Sequence, residues 1–138
     1  MRERVSLYIY ENGRILIFRR IKENRAYYVA IGGGIEPGET VAEAAIREAK
    51  EETNYDIVLG PLLWQREQPG EYREFAFLVT LFSGELALGG PELATQTLEN
   101  QHIFQWQPLD ELSQIDLFPG PVTAGHVARI RELAHSFT

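Results

Sequence analysis

Apolar positions along the chain fall into short runs of β-branched and aromatic residues, broken by two stretches with helical spacing. Val5 to Tyr10 and Arg14 to Arg20 are two such runs, and this composition predicts strands. Between them Glu11-Asn12-Gly13 carries an Asn-Gly pair, a hairpin signal, so the two strands are expected to pair antiparallel. Ile21 to Arg25 is polar and reads as a loop. Tyr27 to Ile31 reads as a third strand that leads into Gly32-Gly33-Gly34. Helical spacing begins at Thr40, which with Glu43 three residues on forms a capping box. Val41 to Thr53 is rich in helix formers, and Asn54 suits the left-handed position that ends a helix. Positions 42, 45, 46 and 49 fall on one stripe, the face expected to pack on the sheet.

The second half repeats the theme. Asp56 to Glu67 reads as strand interrupted at Gly60-Pro61, and Pro69-Gly70 as a turn. Tyr72 to Phe82 is the longest strand candidate, with Phe75, Phe77 and Val79 on one face. Gly84 to Leu88 either extends it or begins another strand. Gly89-Gly90-Pro91 breaks regularity, and Glu92 to Asn100 reads as a polar loop. His102 to Gln107 predicts a short strand, and Pro108 a brief helix over Leu109 to Leu112. Phe118 to Pro121 reads as a loop. Thr123 to Ser136 is an amphipathic helix, with Val127, Ile130, Leu133 and Ala134 expected inward. Strands, helix, strands, helix at hairpin-like spacing predict an α+β fold, a mixed sheet with helices on its faces, and argue against a regular βαβ array.

A length of 138 residues fits one domain spanning 1–138, and 44% apolar residues supply one core. A net charge of −7 disfavours a nucleic acid polymer or an anionic membrane as partner. An acidic protein that handles a polyanion needs a local cation, and bound metal is the obvious candidate. The absence of cysteine excludes disulfides, thiolate metal sites and a cysteine nucleophile. The apolar run at the N-terminus is too short for a signal peptide or a membrane span, so a cytoplasmic location is expected.

Gly32 to Tyr55 carries the chemistry. Gly33 and Gly38 have the spacing of a phosphate-binding loop, but Glu39 stands where that loop requires lysine. The dinucleotide fingerprint fails because Pro37 occupies its third glycine position. On the helix, Glu48, Glu51 and Glu52 lie at i, i+3 and i+4, so their carboxylates cluster and repel. A hard, oxygen-preferring cation, Mg²⁺ or Mn²⁺, would neutralise them. Glycine backbone at 32–34 lets a carbonyl oxygen approach and complete the shell. Arg47, flanked by Glu43 and Glu51 one turn away on either side, is expected to orient the acids.

At these residues the chain resembles the Nudix hydrolase family. The family box runs Gly, five residues, Glu, seven residues, Arg-Glu, an aliphatic residue, any residue, Glu-Glu, any residue, Gly, an aliphatic residue. It is matched by Gly33, Glu39, Arg47, Glu48, Ala49, Glu51 and Glu52. Asn54 and Tyr55 replace its last two positions, and Asn tolerates the left-handed conformation of the glycine it replaces. The resemblance implies the family's α/β/α sandwich with a central mixed sheet and a MutT-like pyrophosphohydrolase. Its substrate is a nucleoside diphosphate linked to another moiety, cleaved with a divalent metal. It further implies that Glu48, Glu51 and Glu52 bind metal, that Gly33 supplies a carbonyl, that Glu39 pairs with Arg47, and that Gly38 belongs to the structural box. The general base is left open between Glu51, Glu52 and a late-loop acid, for which Glu99 is the candidate and Glu92 the alternative.

Substrate choice lies outside the box. Arg19, Arg20 and Arg66 stand near strand ends where they could meet phosphates, and Tyr27, Tyr28, Tyr72, Phe75 and Trp106 could stack a base. His102, His126 and His135 lack ligand spacing and read as structural or exposed. A small-molecule nucleotide is the expected partner, with a homodimer allowed by the resemblance. The leading reading is hydrolysis of a (deoxy)nucleoside triphosphate. Its alternatives are ADP-ribose, nucleotide-sugar or dinucleoside-polyphosphate hydrolysis, and a nucleotide-sensing module without turnover.

Overall fold

The computed structural model describes residues 2–89, 93, 96–97 and 100–136. Strand β1 (Arg2–Glu11) turns through Asn12 and Gly13, both at positive φ (52° and 78°), into β2 (Arg14–Lys22). That is the two-residue hairpin the Asn-Gly pair predicts. A second two-residue turn, Glu23-Asn24 at φ 52° and 64°, joins β2 to β3 (Arg25–Gly34). The expected loop over 21–25 is therefore mostly strand. Its polar residues sit at an exposed hairpin end, where a ladder of backbone bonds needs no apolar side chains.

Strand β3 changes partner along its length. Its first half pairs β2, from Lys22↔Arg25 to Ile17↔Ala30, and its last residues pair β1, from Leu7↔Ile31 to Arg4↔Gly34. This exchange curls the sheet and sets the three glycines against the start of β1. Next come helix α1 (Val41–Thr53) and then β4 (Asp56–Val58), which pairs with β7 (Leu81–Ser83) in a separate ribbon. Strand β5 (Leu62–Gln68) pairs antiparallel with β6 (Tyr72–Val79), and β6 runs parallel to β1. Strand β8 (Asn100–Pro108) lies antiparallel to β2, and β9 (Leu117–Phe118) parallel to β3. A 3₁₀ turn over Leu109–Gln114 precedes β9, and helix α2 (Ala124–Ser136) closes the described chain. The expected long strand 72–82 ends at Val79, and Gly84 to Leu88 forms no strand.

Alternation along β1 assigns the two faces. Val5, Leu7 and Ile9 join Leu16, Phe18, Ile31 and Val79 under the alanines of α1. Tyr8 joins Ile15, Ile17, Ala76 and Leu78 under Val127, Ile130 and Ala134 of α2. A mixed sheet between helices is the predicted α+β sandwich. The buried stripe of α1 differs from the expected one. Ala42 and Ile46 face solvent (Ile46 is 49% exposed), whereas Ala44, Ala45, Ala49, Glu52 and Thr53 are buried. Alanine side chains let the helix axis approach the sheet closely. The helix is rotated so that a glutamate, and not an isoleucine, points inward.

Candidate active site

The strand–loop–helix unit around Gly33 is held by local bonds at both ends of α1. Glu43 N–H donates to Thr40 Oγ1 at 3.1 Å and Thr40 N–H to Glu43 Oε1 at 2.8 Å, completing the capping box. At the other end Asn54 adopts the left-handed conformation (φ 69°) and its N–H closes on Lys50 O. Before the helix, Glu39 N–H donates to Glu36 O and Gly38 turns at φ 81°. This places the Glu39 carboxylate over Arg47.

Arg47 is the hub. Its Nε and Nη2 donate to the two oxygens of Glu39 at 2.7 and 2.9 Å, a bidentate pair. Nη2 also reaches Gly34 O at 2.9 Å, and Nη1 reaches Glu48 Oε1 at 3.0 Å and Glu51 Oε2 at 3.3 Å. The Arg47 hydrogen bond holds the Glu39 carboxyl well below the usual range, at about 2, and Glu39 in turn raises Arg47 above the ordinary arginine value. Glu43, expected beside Arg47, is committed to the cap.

The glycines have separate reasons. At Gly32 φ is +140°, and a Cβ there would lie 2.0 Å from the Val5 carbonyl oxygen. Its N–H donates to Glu52 Oε1 at 2.6 Å, and the Glu52 residue is only 6% exposed. At Gly33 a Cβ would come within 2.5 Å of Glu48 Oε1, so the missing side chain is the space that the Glu48 carboxylate fills. Glu48 and Glu52 thus press against consecutive glycine peptides, while Glu51 stands at the rim with its side chain 44% exposed. The donors here are all oxygen, the set that suits a hard divalent cation. Among the described residues no three acid or histidine side chains form a ready-made cage. Mg²⁺ bound with a phosphate substrate commonly takes one or two carboxylates and fills its shell from water and phosphate oxygens, so the arrangement fits such an ion.

The expected substrate residues separate. Tyr72 lines a cavity of about 500 Å³ together with Gly33, Gly34, Arg4 and Phe118, and its hydroxyl donates to Pro119 O. Tyr28 lines a shallower hollow of about 230 Å³ with Tyr27 and Phe118. Arg20 donates to Asn100 Oδ1 at 2.8 Å and to His102 Nε2 at 2.5 Å, and Arg19 pairs across the sheet with Tyr28 and Ile103. Arg66 is committed inside the protein, to Glu74 Oε1 (2.5 Å), Gly120 O (2.9 Å) and Pro121 O (2.7 Å). Phe75 and Trp106 lie in the sheet, and Trp106 packs on the α1-side core. His126 stacks on Trp64 with ring centroids 4.2 Å apart, and His102 packs edge-on against Phe18. Glu99 and Glu92 lie outside the described residues.

Two charged residues that the sequence reading did not single out lie on the α2-facing side. Glu74 is fully buried between Trp64 and Arg66, and Arg4 faces the cavity. Their signal was faint: each occupies the inward register of a strand whose next residues on that face, Ser6 and Tyr8 or Ala76 and Leu78, are buried.

The match to the NUDIX domain covers residues 1–127. The chain belongs to the Nudix family. Over 54 residues, 39% of this chain, it is 35% identical to the dihydroneopterin triphosphate diphosphatase of Escherichia coli K12, covering 35% of that protein. Over 84 residues, 57% of this chain, it is 33% identical to the ADP-ribose pyrophosphatase of Methanocaldococcus jannaschii, covering 50% of it. The aligned stretches thus span half or less of these relatives' lengths. The solution structure of the E. coli ORF135 protein superposes with a TM-score of 0.67 at 28% identity, covering 99% of this chain and 88% of that one. A MutT structure, of the protein from Aliivibrio salmonicida or Vibrio cholerae, matches at TM-score 0.68 and 18% identity, covering 99% of this chain and 98% of that one, a likeness of fold. Among the described residues no helix is long and apolar enough to cross a membrane.

Proposed function

We propose that this Nudix protein hydrolyses, with Mg²⁺ or Mn²⁺, the diphosphate of a nucleoside diphosphate linked to another group, and that its substrate is a small nucleoside triphosphate in the cytoplasm. The observation that carries this reading is the Glu48 carboxylate seated in the space left by the missing Gly33 side chain, with Glu52 buried beside it on Gly32 N–H. The two relatives, a dihydroneopterin triphosphate diphosphatase and an ADP-ribose pyrophosphatase, are both named for cleaving a phosphoric anhydride, which supports the reaction class.

Glu48, Glu52 and the Gly33 carbonyl would hold the metal, which when bound neutralises charge on the diphosphate and lowers the pKa of coordinated water. Arg47 holds Glu39, Glu48 and Glu51 by hydrogen bonds, which orients these acids before charge develops. Glu51, half-exposed at the rim, would take the proton from the attacking water. Glu52 is buried on a backbone N–H and suits ligation better.

A panel of nucleoside triphosphates, dihydroneopterin triphosphate and ADP-ribose, incubated with Mg²⁺ and resolved by mass, tests the proposal. The expected result is cleavage of a triphosphate to a monophosphate and diphosphate, abolished by chelation. Turnover of ADP-ribose alone would transfer the assignment to the alternative substrate, and no metal-dependent product from any compound would refute it.

A further inference from the structure

The strongest feature outside the acid cluster is Arg4. It lies opposite Gly34 on one neighbouring strand and Glu74 on the other, with its side chain on the α2-facing side of the sheet. It forms the wall of the cavity lined by Arg2, Gly33, Gly34, Tyr72 and Phe118. Its Nε is shut off from solvent and has no hydrogen-bond partner. Its Nη2 reaches the Ala30 carbonyl at 3.5 Å, the limit for such a bond, and its Cζ stands 5.3 Å above the Phe118 ring. Burial lowers its pKa, opposed by the fields of Glu52, Glu74, Tyr8 and Glu48, yet among the described residues no acid comes within ion-pair distance of it. A buried guanidinium donor is ordinarily satisfied by the protein, and guanidinium is the group that best matches phosphate oxygens.

Four other cations near the box are committed to protein partners, while Arg2, exposed, lines the same cavity. Arg47 is held by Glu39, Glu48, Glu51 and Gly34 O, Arg66 by Glu74 and two carbonyls, Arg20 by Asn100 and His102, and Arg73 by Glu67 and Glu3. The cavity also begins where the acids end. Gly33 both accommodates Glu48 and lines the cavity, and a Cβ at Gly34 would meet nothing within 4 Å. A diphosphate that touches the acid cluster and continues into the cavity passes over Gly33 and Gly34 and meets Arg4.

We propose that Arg4 is a phosphate-binding residue, donating to an oxygen of the substrate's diphosphate where the chain leaves the acid cluster and enters the cavity bounded by Tyr72 and Phe118. This rests on the pyrophosphohydrolase reading above. With Arg4 at the cavity end and the acid cluster at the other, the diphosphate would be held from both ends.

Methylenediphosphonate, a non-hydrolysable diphosphate without a base, is the probe, with Mg²⁺ present and binding followed by calorimetry. Arg4→Gln is expected to raise its dissociation constant at least tenfold and to raise KM for the nucleoside triphosphate more than it lowers kcat. Arg4→Lys is expected to recover part of the loss. In the wild-type protein the Arg4 Nε–H resonance, assigned by its absence from Arg4→Lys, should shift as the probe is added. An unchanged dissociation constant in folded Arg4→Gln, or an Nε–H signal that does not move, overturns the assignment. A merely structural Arg4 would lower the melting temperature and leave binding intact. If the wild-type protein turns over no nucleotide with Mg²⁺, the function reading fails and the Arg4 role with it. An active wild type whose binding ignores Arg4 removes only the Arg4 role.

Discussion

Replacing Gly33 by alanine isolates the contact on which the functional reading depends. The backbone φ at Gly33 lies outside the left-handed region, so alanine can adopt the conformation, but its Cβ would fall 2.5–2.7 Å from all three atoms of the Glu48 carboxyl group. Those atoms end a flexible side chain and must move by about 1 Å to reach ordinary contact. The stability cost is small. Alanine for glycine at a compatible position stabilises by about 0.4–1 kcal/mol, and the displaced carboxylate gives up one charge-assisted bond to Arg47, about 1.5–3 kcal/mol. The net loss is about 1–2 kcal/mol, a melting-temperature drop on the order of 5 °C. The catalytic cost is larger, because a misplacement of about 1 Å in a reacting group costs roughly 10²-fold, or about 2.7 kcal/mol in transition-state stabilisation. Scanning fluorimetry with Mg²⁺-dependent product release on the same sample measures both. Gly32→Ala is the contrast: its Cβ would meet the Val5 carbonyl oxygen at 2.0 Å with φ at +140°, so it should lose more than about 4 kcal/mol and fail to fold. A Gly33→Ala enzyme that keeps at least half of wild-type kcat/KM would show that the Gly33–Glu48 contact is incidental.

The remaining predictions concern neighbouring groups. Glu52→Gln keeps an oxygen for Gly32 N–H and should fold, yet lose at least about 10²-fold in Mg²⁺-dependent kcat; near wild-type turnover would remove Glu52 from the metal site. The Glu39 pKa is depressed to about 2 from 4.5 by Arg47. Its stabilisation is therefore present above pH 4.5 and is lost as pH falls toward 2. The gap in melting temperature between wild type and Glu39→Gln should be constant near neutrality and close between those values, and a gap that survives at pH 2 contradicts the pairing. Arg66→Ala strips the fully buried Glu74 of its guanidinium and should cost about 3–5 kcal/mol in urea unfolding; a loss below about 1 kcal/mol would mean that Glu74 is satisfied without it.

Much of the fold was readable because its signals are local. The Asn12-Gly13 turn, the Thr40–Glu43 box and the Asn54 terminus each rest on side chains within a few residues of the backbone groups they serve. Polar composition misled at 21–25, where Lys22 and Arg25 pair across an exposed hairpin end that asks nothing of their side chains. Apolar periodicity misled on α1, where Ile46 is exposed and Glu52 buried. Hydrophobic spacing records average burial, whereas contact with Gly32 rotated this helix.

The sequence by itself determined the acid spacing at 48, 51 and 52, the glycines before it and the helix that carries it, because helix geometry converts those separations directly into neighbours. It also determined the partnership of Glu39 and Arg47, through the box that the chain resembles. Only the tertiary structure decided that Glu48 fills the Gly33 gap, that Arg66 is consumed by Glu74, and that Arg4 stands beside Gly34 at the mouth of a cavity. Those facts depend on how whole elements dock: helix α1 on β3 for Glu48 and Gly33, the β5–β6 hairpin for Arg66 and Glu74, and the register of β1 on β3 for Arg4 and Gly34. Register is set by the packing of the whole sheet and leaves little trace in the local pattern of any one strand.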